Sequence, residues 1–270
     1  MKFDRSNFSD ITQLAIKAAI KSGKLLKKGY STQFEISFKE GNHNLVTEYD
    51  IASEKLIISL IRENFPDHNF LCEEETFNKS DANNEIKWII DPLDGTVNFS
   101  HNIPFFAVSI AVFKYSQPFC GVIFAPMYEE LFIAEKNKGA YLNGKKISAS
   151  KINKLKNAFL ATGFPYNMDQ NPYHITETFT HFIKKGIPIR RLGSAALDLA
   201  YVAAGRFDGF WETGLGAWDC AAAQIILTEA GGKITNWDGS KFILSENNNT
   251  ILATNGYIHE EMANQLKDMI

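Results

Sequence analysis

The sequence is short of cysteine, of basic excess and of long apolar runs, and each shortage closes off a class of protein. Its three cysteines, Cys72, Cys120 and Cys220, are odd in number and far apart. Neither a disulfide scaffold nor a zinc cluster is built from that pattern, and free thiols in a reducing compartment are its simplest account. The formal net charge of -3 argues against a general binder of nucleic acid or of anionic membranes. No run is long and apolar enough to cross a bilayer. Charged residues interrupt the first apolar ones, so no signal peptide is expected and the expected location is the cytoplasm. Internal repeats and low-complexity tracts are missing too. What remains is 270 residues, 45% hydrophobic and 22% charged, enough for a sizeable core in one large domain or two tightly joined halves.

Hydrophobic periodicity orders the chain. Ser9 stands where a helix cap is expected, ahead of Ile11, Leu14, Ala15, Ala18, Ala19, Leu25 and Leu26 at helical spacing, with Gly29 as a stop. Phe34, Ile36 and Phe38 alternate as in a strand. A loop from Lys39 enters a second helix near Asp50, which on its own reads as an N-cap; that helix must end before Pro66. Phe70 to Cys72 is strand-like and leads into Glu73, Glu74 and Glu75, ordinarily a solvated acidic loop, and residues 78–84 read as a polar loop. Phe105–Phe113, Phe119–Phe124 and Leu131–Ala134 follow one another across short turns, which predicts antiparallel pairing.

A polar stretch near Ser148 sets a boundary, giving an N-terminal α+β half over 1–147, two helices on an antiparallel sheet, and a mixed α/β half over 148–270. In the second half Phe159–Thr162, Ile187–Arg190, Phe207–Glu212 and Thr250–Ala253 read as strands. Gly193–Gly205, Trp218–Ala230 and the segment from Glu260 onward read as helices.

The most informative stretch is Trp88-Ile-Ile-Asp-Pro-Leu-Asp-Gly-Thr-Val-Asn-Phe99. A short buried strand ends in two carboxylates, Asp91 and Asp94, separated by Pro92 and Leu93. Gly95 permits a tight turn, and Thr96 stands where a short helix could start, with its hydroxyl and N–H facing back toward the acids. Two acids beside free amide donors suit a metal ion that in turn holds a phosphate, although an Asp-Pro turn with a helix cap uses the same residues. A second stretch, Gly216-Ala-Trp-Asp-Cys-Ala-Ala-Ala closed by Glu229-Ala-Gly-Gly232, puts Asp219 in the first turn of an apolar helix. Taken alone, that position is explained by the positive helix end.

Together these motifs resemble the inositol monophosphatase family of magnesium-dependent, lithium-sensitive phosphatases. Gly193-Ser-Ala-Ala-Leu-Asp-Leu-Ala-Tyr and Phe207-Asp-Gly-Phe-Trp-Glu212 look most like its bacterial inositol-1-monophosphatase branch. The resemblance implies a layered α/β sandwich, an α+β fold acting as one compact catalytic unit, and a homodimer. It implies two or three magnesium ions (Mg2+). Glu74, Asp91 and the Leu93 carbonyl would hold the first, Asp91, Asp94 and Asp219 the second, and Glu74 would share a weaker third. Phosphate would rest on the N–H groups of Gly95 and Thr96, Asp50 and Thr96 would orient the attacking water, and Glu73 would lie one shell behind. Glu212, with backbone near Gly193 and Ala195, would meet hydroxyls of the substrate ring, beside Asp94 and Asp219. Val97 and Cys72 depart from the family's usual threonine and glycine.

The implied activity is hydrolysis of inositol monophosphate and similar sugar or polyol phosphates by direct attack of a metal-activated water. No cysteine or histidine lies in a recognisable nucleophile loop that would support a phospho-enzyme. Fructose bisphosphate, NADP and phosphoadenosine are the alternative substrates of the same superfamily. An accessory role in a transcription complex is the non-enzymatic alternative.

Overall fold

The computed structural model describes residues 4–38, 45–74, 85–244 and 249–269. The loop expected at 78–84, most of the entry loop before Leu45, and Glu75 lie outside the described residues. The first half runs through helix α1 (Asp10–Gly29), the antiparallel strands β1 (Ile36–Phe38) and β2 (Leu45–Thr47), and helix α2 (Glu48–Asn64). It continues with β3 (Asn69–Cys72), β4 (Ile86–Asp94), the short helix α3 (Thr96–Ser100), β5 (Ala107–Lys114), β6 (Gln117–Ala125), β7 (Glu130–Glu135), β8 (Gly139–Leu142) and β9 (Lys145–Ile147). Strands β3 to β9 form a seven-stranded sheet in sequential order, antiparallel except that β3 and β4 run parallel. The parallel edge departs from the expected all-antiparallel sheet, because the chain returns to start β4 from the same end as β3.

The second half contains β10 (Leu160–Thr162), α4 (Ile175–Lys184), β11 (Ile189–Arg190), α5 (Ala195–Ala203), β12 (Gly209–Leu215), α6 (Ala217–Glu229), β13 (Lys233–Thr235), β14 (Asn249–Thr254) and α7 (His259–Lys267). Its five strands pair in the order β11-β10-β12-β14-β13, parallel around β10 and antiparallel around β14. Helix α4 was not foreseen from the sequence.

Period-two alternation explains the layering. Trp88 and Ile90 of β4, with Val108, Ile110 and Val112 of β5, face Ile16, Leu26, Ile57 and Ile61 of α1 and α2. Ile89, Ala107, Ala111 and Ile123 point the other way and meet the alanine-rich helices α5 and α6. Those helices also pack on Phe210, Ile251 and Ala253 of the second sheet, whose far face buries Leu160, Trp211 and Leu252 against α4 and α7. The nearly continuous apolar runs of β4 and β5 therefore mark strands buried on both faces. Close approach of α6 to the first sheet depends on Gly121, where an added Cβ would fall 2.3 Å from the Ala222 carbonyl oxygen.

Helix starts are fixed by specific acceptors. Ser9 caps α1, and the buried Glu135 carboxylate accepts from Ser9 N–H at 2.9 Å and from the Thr12 hydroxyl at 2.6 Å. At α2 the cap is Thr47, and Asp50 is its capping-box partner three residues on rather than the N-cap itself.

His259 opens α7 wholly buried, its ring nitrogens each 2.9 Å from a threonine hydroxyl, Thr235 on one side and Thr254 on the other. Burial, and then Lys233, push its pKa down to about 4. The folded state thus holds His259 neutral while the unfolded chain protonates it, so this contribution to stability is present above pH 6.5 and is lost as pH falls toward 4. Denaturant unfolding at pH 7 and pH 5 should show the wild type losing about 2 kcal/mol more than His259→Gln over that interval. Equal losses in the two proteins would show that His259 titrates alike in both states.

Candidate active site

The acids of the central motif meet because β4 is irregular at its end. Residues three apart on a regular strand point to opposite faces. Against β5, however, Asp91 pairs with Ser109 and Asp94 with Ala107, leaving one extra residue on β4. That bulge restores the parity and turns both carboxylates to one side. Asp219 arrives from the first turn of α6, and ligand atoms of Asp91, Asp94 and Asp219 all lie within 4.8 Å of one another.

Each acid is held by a donor that leaves it open to the cluster. The Leu93 N–H donates to Asp91 Oδ1 at 2.9 Å. Asp94 Oδ2 accepts from the Ser194 hydroxyl and, at 2.8 Å, from the Ala196 N–H, both at the start of α5. Asp219 Oδ2 accepts from the Gly216 N–H at 2.7 Å. The helix-end role of Asp219 is therefore real, and it uses one oxygen only; Oδ1 has no donor among the described residues.

Burial is the first cause of raised pKa in all three acids. The neighbouring carboxylates add to it, so that Asp91 and Asp219 rise well above the usual range. Asp94 is pushed up to about 6, its Ser194 and Ala196 donors working against burial. Among the described residues no lysine or arginine pairs with any of the three. Buried carboxylates without a countercharge are strongly unfavourable, and a cluster made only of oxygen donors fits a hard divalent cation.

Of the acidic run, Glu73 is the residue engaged here. Its charge acts on Asp50, Asp91, Asp94 and Asp219, and its side chain shares a hydrogen bond with Asp91. Glu74 instead directs its backbone N–H to Glu54 Oε2 at 3.0 Å. Glu73 thus meets the acid cluster, where Glu74 was the residue expected.

Gly95 has φ 98°, in the left-handed region that favours glycine, and a Cβ there would meet the Phe105 carbonyl oxygen at 3.0 Å. Behind it the Thr96 hydroxyl lies 2.8 Å from Asp50 Oδ1 and 2.9 Å from the Leu93 carbonyl oxygen. Asp50 is buried and accepts from the Thr47 N–H and hydroxyl on its other oxygen. Burial raises its pKa to about 6 against those donors. The Asn98 amide donates to the Phe105 and Leu192 carbonyls at 2.7 and 2.8 Å, stitching α3 to the segment before α5.

Gly193, at φ 86°, and Ala195 sit at that start. Glu212 on β12 is buried, burial lifting its pKa to about 8 while Arg191 opposes the rise, and its carboxylate receives no hydrogen bond among the described residues. Cys220 and Cys72 are buried with thiol pKa values pushed up, first by burial, so neither offers a thiolate. The sequence reading passed over Thr47 and Ser194. Each is a Ser or Thr directly before a helix, which is the signal that would have found them.

Comparison with known proteins agrees with this geometry. The inositol monophosphatase family model matches residues 7–270. The chain is 39% identical over 257 residues to the Nus factor SuhB of Escherichia coli, covering 94% of this chain and 95% of that one. It is 36% identical over 261 residues to an inositol-1-monophosphatase of Mesorhizobium japonicum, covering 96% and 97%. The solved structure of the extragenic suppressor protein suhB from Bartonella henselae superposes with a TM-score of 0.89 at 38% identity, covering 97% of this chain and 100% of that one. With the acid cluster, the turn at Gly95 and the layered fold in agreement over nearly its whole length, the chain belongs to the inositol monophosphatase family.

Proposed function

We propose that the protein is a magnesium-dependent phosphomonoesterase acting on inositol monophosphate and related polyol or sugar phosphates. The observation that carries this reading is the cluster of buried Asp91 and Asp94 with half-buried Asp219, which has no cationic partner among the described residues and lies beside the Asp50 and Thr96 pair. Glu73, Asp91 and the Leu93 carbonyl, with Asp94 and Asp219, would hold magnesium. When bound, the ions neutralise charge on the phosphoryl oxygens and leaving group and lower the pKa of water.

The chain's own residues do the rest. Asp50 fixes the Thr96 hydroxyl, and the two orient the attacking water. The N–H groups of Gly95 and Thr96 receive phosphate oxygens. Glu212, whose carboxylate receives no hydrogen bond among the described residues, accepts hydroxyls of the leaving group, with Gly193 and Ala195 lining the same space. The homodimer implied by the resemblance belongs to the same proposal. Likeness to a protein named as a Nus factor favours a second reading, an accessory role in a transcription complex. Capture of RNA polymerase components by an Asp91→Asn protein, without turnover, would support that role as independent of catalysis.

Metal dependence is the first test. Chelated protein should be inactive and regain turnover with magnesium. Asp219→Asn should lower kcat/KM by more than the roughly 10–100-fold typical of outer-shell partners. It should also stabilise the metal-free protein by on the order of 1–3 kcal/mol, because one buried charge is gone. Full turnover by metal-free protein would sink the reading.

Within the glutamate pair, Glu73→Gln should match Asp219→Asn in severity while Glu74→Gln stays within about tenfold of wild type. The reverse order would restore Glu74 as the ligand.

Above pH 8, where Glu212 is ionised, Glu212→Gln should lower kcat/KM for inositol phosphate roughly tenfold to a hundredfold, the effect of losing a hydrogen bond to a charged acceptor. An aryl phosphate without ring hydroxyls should be spared. Equal losses on both substrates would point to damage at the shared acid cluster.

A further inference from the structure

The segment leaving β10, from Gly163 to Tyr166, is pinned at three consecutive residues. Gly163 lies against Glu212, so that an added Cβ would fall 2.1 Å from both carboxylate oxygens. Phe164 is half-buried edge-to-face on Phe179 at 5.3 Å, with the Arg191 guanidinium carbon 6.0 Å above its ring. Pro165 closes on Gly214, where a Cβ would come within 2.8 Å of the proline Cβ. The next residue is different. Tyr166 is 60% exposed, and among the described residues its ring makes no aromatic contact and its hydroxyl no hydrogen bond.

Its location is nevertheless tied to the site. Burial, followed by the charges of Glu73, Asp219 and Asp94, pushes the phenol pKa up to about 12. Contact of Gly163 with Glu212 and of Pro165 with Gly214 sets Tyr166 at the Glu212 end of the site, with its side chain open to solvent. A rigid segment presenting a bare aromatic ring beside a polar site is how a pocket supplies apolar contact to a ligand whose other groups are hydroxyls. The negative face of the ring matches the C–H face of a saturated ring.

We propose that Tyr166 determines specificity by offering its ring as a platform for the C–H face of a cyclic leaving group, a polyol or sugar ring whose hydroxyls reach Glu212. The inference rests on the phosphatase reading above and adds to it a preference for cyclic over acyclic alcohols.

The test compares kcat/KM for inositol 1-phosphate and glycerol 2-phosphate on the wild type, Tyr166→Ala and Tyr166→Phe. Tyr166→Ala should lose about three- to tenfold on the cyclic substrate and less than about twofold on the acyclic one. Tyr166→Phe should keep both activities, since the ring and not the hydroxyl is the platform. Equal losses on the two substrates, no loss in the alanine variant, or a phenylalanine variant as impaired as the alanine one would overturn the proposal. A wild type that hydrolyses neither substrate would overturn the phosphatase reading and this inference with it, an outcome that the wild-type rates alone reveal.

Discussion

Mutual repulsion of buried carboxylates is the constraint around which this molecule is arranged. Asp91, Asp94 and Asp219 sit within 4.8 Å of one another with no cationic partner among the described residues. What holds them in place is hydrogen bonding to neutral donors: a strand-end N–H for Asp91, the first turn of α5 for Asp94, and the residue before α6 for Asp219. Such donors orient carboxylates without cancelling their charge, so the cluster keeps its demand for a cation. A lysine in any of these places would have satisfied the acids and removed that demand.

The surrounding packing keeps the arrangement stiff. Phe99, on the short helix after Thr96, is wholly buried and packs with Phe34, Tyr49 and Phe106 at centroid distances of 5.2, 5.7 and 5.1 Å. That aromatic cluster backs the Gly95 turn and ties it to α2, so Asp50 and Thr96 move with the acids rather than independently of them. On the other side, α6 carries Asp219 on a helix whose alanines let it nest against both sheets at once.

Much of this was legible in the sequence because the signals were local. The Asp-Pro-Leu-Asp-Gly-Thr stretch, the Trp-Asp pair at a helix start and the apolar runs of β4, β5 and β6 each carry their meaning within a few residues. Legibility failed where meaning depends on register or on distant partners. Glu73 and Glu74 are the same residue type one position apart, so composition alone does not say which of them meets the acids. The parallel pairing of β3 with β4 was hidden because pairing partners are set by the path of the connection, not by composition. Helix α4 is a different case, since Ile175, Phe179, Phe182 and Ile183 recur at helical spacing and its signal was local. Tyr166 carried no motif at all; its place follows from the packing of the three residues before it.

The division of the acids between β4 and α6 also bears on how the chain reaches its folded state. Asp91 and Asp94 are already neighbours once β4 pairs with β5, whereas Asp219 joins them only when α6 settles into the groove opposite Gly121. Contacts between segments so far apart in sequence form slowly, because a long loop must close before they contribute. The electrostatic opposition is therefore concentrated in the docking of the two halves, and is weaker while either half takes shape alone. A divalent cation bound early to Asp91 and Asp94 would turn that last encounter from repulsion to attraction, making the ion a participant in assembly as well as in chemistry.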